Sequence, residues 1–223
     1  MNPPNPQTLR NLYLISGLGA DQRAFARLRL PNRYIIHHVA WIKPERGEGL
    51  EGYARRLAEV VDQSQPFALV GLSFGGMIAS AMCDFLRPEK TLLISSVGCA
   101  SELPPYLRVA GTLRLHLLVP RYLLHHPNKA AHWLFGARTK KEKELLDLII
   151  GANHPEFMRW AIHAILTWKR KDRSGTLHHI HGTADRILPI RYTHPTTRIE
   201  GGSHFMVWTR AGEVSKWMEE VLG

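Results

Sequence analysis

Five residues, Gly71-Leu72-Ser73-Phe74-Gly75, close the apolar run PFALVGLS over 66–73 and open a second one, FGGMIASAMCDFL. A strand that passes at once into a helix forces the residue between them into a strained backbone conformation and leaves its side chain exposed at the carboxyl edge of the sheet. Side chains two positions before and after that residue would collide with the turn, so glycine is required at both. Gly71 and Gly75 stand there, and Gly76 adds a third. The pattern predicts a strand–turn–helix unit that presents Ser73 as a nucleophile.

The rest of the N-terminal half supplies a sheet for that unit. NLYLISGLG over 11–19 is an apolar run ending in glycines, and RYIIHHVAW over 33–41 and KTLLISSVG over 90–98 are two further runs. All three read as buried strands. Between them, 50–63 places Leu50, Tyr53, Ala54, Leu57, Val60 and Val61 on one stripe, which is helical spacing. Strands alternating with helices, each strand apolar on both faces, predict a parallel sheet covered by helices. The alternation stops at about residue 100. From there to 172 the chain reads as several helices with breaks at Pro120, Pro127, Gly136 and His154-Pro155, and in the last of them Phe157, Trp160, Ala161, Ala164, Ile165 and Trp168 share a face. Strand patterns resume over 176–189 and 196–205, before a helix over 211–222. The predicted organisation is a core of residues 1–99 and 174–223, interrupted by a helical cap of residues 100–173 that serves as a lid or binding wall.

A serine hydroxyl needs a base, and the base needs an orienting acid. In a sheet of this kind the chain order is Ser, acid, His. HGTADRILP places Asp185 just past a strand end, and EGGSHFM places His204 in a glycine-rich loop past the last strand. Both fall on the same sheet edge as Ser73. The developing oxyanion needs two backbone N–H donors. Phe74, next after the nucleophile, is expected to give one, and Leu18, in the loop SGLGAD after the first strand, the other.

This order of motifs along nearly the whole chain resembles the α/β-hydrolase superfamily, in particular its small bacterial serine hydrolases with a helical cap. The loop carries Ser16 before Gly17 where the common form has His-Gly, which leaves the backbone donor in place. The chain begins at what the family counts as its third strand, so the resemblance implies an α/β-hydrolase fold with a mainly parallel sheet of about six strands. It also implies acyl-ester chemistry by a Ser-His-Asp triad without a cofactor. Carboxylesterase action on a small-molecule ester is the leading expectation. Two others are a thioesterase or C–C hydrolase acting on an anionic substrate, and a ligand-binding protein with slow turnover.

Composition narrows the setting. At 44% hydrophobic and 22% charged, the 223 residues suit an ordinary globular domain. The polar, proline-rich first eleven residues lack a signal core, and no run approaches a membrane span, so a cytoplasmic protein without stable membrane insertion is expected. The net charge is +10, and residues 100–173 hold 13 Lys and Arg against 6 Asp and Glu. That balance fits a solvated basic face or attraction of anions. No nucleic-acid-binding motif accompanies it. The histidines of HHIH over 178–181 lie in a predicted strand without a carboxylate cluster, so no metal is expected there. Cys83 reads as core. Trp160 and Trp168 are candidates to line the substrate pocket.

Overall fold

The computed structural model describes residues 9–118, 128–152, 154–173 and 177–223. Six strands form one sheet: β1 (Arg10–Ile15), β2 (Tyr34–Val39), β3 (Phe67–Leu72), β4 (Lys90–Ile94), β5 (Leu177–Gly182) and β6 (Thr197–Ile199). Their spatial order is β2-β1-β3-β4-β5-β6, and every neighbouring pair is parallel. This is the α/β-hydrolase fold. β1 and β3 are adjacent, but the chain between them crosses to β2 and back. The strand order therefore reverses between β1 and β3, and the loops leaving their carboxyl ends frame a crevice there.

Alternation along the strands divides the interior into two cores. Tyr13, Ile15, Leu69 and Leu93 point to one face, where α1 (Leu50–Leu57) and α2 (Phe74–Met82) cover them. Leu12, Leu14, Val70, Leu92 and Ile94 point to the other, covered by the C-terminal helix through Val214, Trp217, Met218 and Leu222. The predicted stripe of α1 is buried as far as Leu57. Beyond it the helix tightens into a 3-10 turn, Ala58–Val60, which rotates Val60 out to 59% exposure.

Between β4 and β5 the described residues form α3 (Pro105–Thr112), α4 (Lys129–Phe135), α5 (Lys140–Gly151) and α6 (Pro155–Leu166). Two of the expected breaks are met. Gly136 ends α4 in the left-handed region at φ 78°, and Pro155 starts α6 at its first turn. Pro120 and Pro127 lie outside the described residues. Thr139 and Glu142 form a reciprocal capping box at the start of α5. These helices do not form a separate layer. Phe157, Ala161, Ala164 and Trp168 join the core on the α1–α2 face, whereas Ala137, Leu146 and Ile149 join the opposite one. After β6 the chain forms the short α7 (Met206–Thr209) and then α8 (Ala211–Leu222).

Candidate active site

Ser73 occupies the turn between β3 and α2 with φ 51° and ψ −117°, a conformation that costs a non-glycine residue on the order of 1–3 kcal/mol. Surrounding bonds hold it there. Its N–H donates to the Ile94 carbonyl at 2.9 Å, and its own carbonyl accepts from the Ser96 hydroxyl at 2.6 Å and the Gly76 N–H at 2.9 Å. The two flanking glycines are obligatory for different reasons. A Cβ on Gly71 would run into the backbone of Gly75 and Gly76, and one on Gly75 into the carbonyls of Ile15 and Ser16 at the end of β1 and just past it. The first closes the turn upon itself; the second lets α2 sit against the neighbouring strand.

Asp185 and His204 converge on this serine from the loops after β5 and β6. His204 Nε2 lies 2.9 Å from Ser73 Oγ, and His204 Nδ1 lies 2.7 Å from Asp185 Oδ2. Asp185 Oδ1 accepts the amides of Ile187 and Leu188 at 2.9 and 2.8 Å. Burial alone raises the Asp185 pKa, but the facing His204, its hydrogen bond, His181 and the Leu188 amide outweigh burial and hold the carboxyl below its ordinary value. An ionised Asp185 only accepts, so His204 carries its proton on Nδ1 and turns a bare Nε2 lone pair toward the Ser73 hydroxyl. Both residues are 4% exposed, whereas Ser73 is half-buried.

The loop after β1 approaches from the other side. A Cβ on Gly17 would stand in ordinary contact, 3.5 Å, with Ser73 Cβ. The Ser16 hydroxyl donates to the Ala20 carbonyl at 2.5 Å, and the Ala20 N–H donates to the Gly17 carbonyl at 2.9 Å, fixing the loop into a tight turn. Among the described residues neither the Leu18 nor the Phe74 N–H has a protein acceptor. Above Ser73 lies a cavity of about 60 Å³ between Leu18, Leu72, His204 and Val207 on the sheet side and Phe135, Leu146, Ile149 and Ile150 from α4 and α5. Among the described residues that line it, His204 is the one ionisable side chain. Phe135 packs edge-on against the His204 ring at 5.4 Å.

The two tryptophans are placed elsewhere. Trp160 lines a larger cleft of about 910 Å³ with Trp41, Phe157 and Lys43, and its indole N–H donates to the Glu48 carbonyl at 2.8 Å. Trp168 lines neither cavity, because its face of the chain packs into the α1–α2 core, where it is 6% exposed. Among the described residues no group of three or more His, Cys, Asp or Glu side chains is arranged to hold a metal ion. None of their helices is long and apolar enough to cross a membrane.

The sequence profile of the alpha/beta hydrolase family matches residues 12–217, nearly the whole chain. The chain belongs to this family. No curated protein matches it in sequence. Several alpha/beta hydrolase structures share its fold at low identity. A thermophilic esterase from Thermogutta terrifontis aligns with a TM-score of 0.72 at 18% identity, over 96% of this chain and 89% of that one. An esterase from Exiguobacterium antarcticum aligns at 0.71 and 13%, over 95% and 91%. A lipase-esterase related protein from Clostridium acetobutylicum aligns at 0.68 and 15%, over 97% and 96%.

Sequence reasoning missed three features of this alpha/beta hydrolase. Ser96, which ties down the Ser73 carbonyl, carries no motif. The apolar cavity wall from α4 and α5 carries nothing that distinguishes it from an ordinary helical stripe. His179 and His181 were visible in the HHIH run, and their i, i+2 spacing on β5 puts both on one face. That was the signal available, and it points at Asp185.

Proposed function

We propose that this alpha/beta hydrolase cleaves carboxylic esters through an acyl-enzyme on Ser73. The observation that carries the reading is the unbroken sequence of contacts from the strained Ser73 hydroxyl to His204 at 2.9 Å and on to Asp185 at 2.7 Å. Ser73 Oγ attacks the ester carbonyl while His204 Nε2 takes its proton. Asp185 stabilises the imidazolium, and the amides of Leu18 and Phe74 receive the oxyanion. His204 then passes the proton to the departing alcohol. Water attacks the acyl-enzyme with His204 again as base, and release of the acid restores Ser73.

The apolar cavity beside Ser73 accommodates a short, uncharged acyl group better than an anionic one, because a carboxylate there would lose its hydration without gaining a partner among the described residues. Residues 100–173 act in this reading as the cap, with α4 and α5 closing the acyl side. The test is hydrolysis of a panel of p-nitrophenyl esters of increasing chain length. Wild type is expected to favour the short acyl chains and to be labelled at Ser73 by a fluorophosphonate. Ser73→Ala is expected to lose activity by about a thousandfold or more with its fold intact. Activity within tenfold of wild type in that variant, or labelling at another serine, refutes the proposal.

A further inference from the structure

Behind the Ser73–His204–Asp185 contacts runs a second line of buried polar groups. His181 Nε2 lies 2.7 Å from the Leu188 carbonyl and 3.3 Å from Asp185 Oδ2, the same oxygen that faces His204. His181 Nδ1 lies 3.2 Å from His179 Nε2. His179 Nδ1 is 3.4 Å from an Arg173 guanidinium nitrogen, and Arg173 Nε is 2.5 Å from Glu102 Oε1. Glu102 Oε2 accepts the Gly98 amide at 2.8 Å. Both imidazoles are completely buried.

The direction of every bond in this line is fixed from its two ends. A carbonyl only accepts, so His181 Nε2 carries a proton, which it shares between Leu188 O and Asp185 Oδ2. A neutral His181 then has a bare Nδ1, which accepts from His179 Nε2–H. That leaves His179 Nδ1 bare, and the facing Arg173 is a pure donor. Burial disfavours the imidazolium in both rings; in His179 its partner His181 and the Arg173 charge push the same way. The groups facing the line are Asp185, His204 and Glu102 around His181, Arg173 and His194 around His179, and the Tyr106 phenol of α3 toward Asp185.

We propose that His181 is a positioning residue for the candidate acid, the last member of a hydrogen-bond chain in which donation runs one way from Arg173, itself held by Glu102, through His179 to Asp185. It completes the set of donors that orients Asp185, with the Ile187 and Leu188 amides on Oδ1 and two imidazoles on Oδ2. Since the His181 N–H draws charge from the oxygen that faces His204, it tempers the basicity of the pair. The inference rests on the triad reading above for its kinetic part and on geometry alone for its tautomer part.

Two experiments test it. In wild type labelled with ¹⁵N-histidine, His179 and His181 are expected to be neutral and protonated on Nε2 across the activity range. A protonated Nδ1 or a titrating ring at His181 overturns the chain, whatever the status of the triad. In His181→Phe the lost donor is expected to make the Asp185–His204 pair more basic, so the acid limb of the kcat/KM profile moves up by about half a pH unit. His181→Gln, which can return an N–H to the same place, is expected to restore the limb. A limb unmoved in a folded His181→Phe, or one that stays moved in His181→Gln, overturns the positioning role. Failure of the triad reading shows separately, as activity surviving in Ser73→Ala.

Discussion

Asp185 receives two backbone amides on Oδ1 and two imidazoles on Oδ2. That asymmetry decides what an amide in its place can do. In Asp185→Asn the Ile187 and Leu188 N–H groups require the carbonyl oxygen on their side, so the NH₂ must face His204 and His181. His204 is then driven to the tautomer with its proton on Nε2, which cannot accept the proton of Ser73. The expected loss in kcat is about ten-thousandfold, with KM little changed, as steady-state kinetics would show. A loss under tenfold means that another carboxylate orients the base. Stability should show the same residue. The Asp185 pKa is lowered from 3.8 in the folded chain, so its ionised form contributes stability above that value and loses it as the pH falls through the depressed folded pKa. The contribution is therefore complete at neutral pH. Thermal midpoints measured from pH 7 down to 3 are expected to fall for both proteins, with the wild-type advantage over Asp185→Asn shrinking below about pH 4.

At the scale of elements, the β3–α2 junction is the part of the molecule with least tolerance. Gly75→Ala would place a methyl group in the Ile15 and Ser16 carbonyls, both backbone atoms that cannot move aside. The substitution is expected to separate α2 from β1, lowering the thermal midpoint by several degrees or preventing folding. Gly151→Ala, at the end of α5, meets nothing within 4 Å, and is expected to leave the midpoint unchanged or raise it, with a gain of about 0.5–1 kcal/mol. Equal midpoints for the two variants would refute this account of the junction. The contrast also marks what a sequence can disclose. The glycines around Ser73, the apolar strands and the loop positions of Asp185 and His204 are local in the chain, and each was legible from spacing. The line from Glu102 to His181 was not, because it joins four residues from three segments whose contacts exist only once β4 and β5 pair. The same holds for the cavity wall: Leu146 and Ile149 follow an ordinary helical stripe, and only packing shows that it faces Ser73. Trp168, two residues past the end of α6, continues that helix's apolar face into the α1–α2 core, a placement that spacing alone does not distinguish from a pocket wall.

For the molecule as a whole, charge and cavity point in different directions. The net charge of +10, concentrated in residues 100–173, would draw anions to the surface at low salt. Much of that charge is not directed at Ser73, however. Arg170 pairs with Asp84 at 3.0 Å and Arg173 with Glu102 at 2.5 Å, both half-buried against the core. Lys169 and Lys171 are exposed, and Lys140, with a side chain 91% exposed, reaches toward Glu144 on its own helix. Among the described residues, none that lines the cavity beside Ser73 offers a cation to an anionic acyl group. Long-range attraction raises the encounter rate and is screened over roughly 8–10 Å at physiological salt, whereas desolvation of a carboxylate in an apolar cavity is insensitive to salt. The two effects therefore separate in one experiment, kcat/KM for a neutral short-chain ester and for its analogue with a carboxylate at the end of the acyl chain, at low and high salt. The neutral ester is expected to be the better substrate by roughly tenfold or more at both salt concentrations, with a rate independent of salt. The anionic analogue is expected to lose a further few-fold as salt rises, because its encounter is the only step the basic surface assists. A preference for the anionic ester that persists at high salt would require a cation at the acyl end of the cavity, and would transfer the substrate class from neutral to anionic esters.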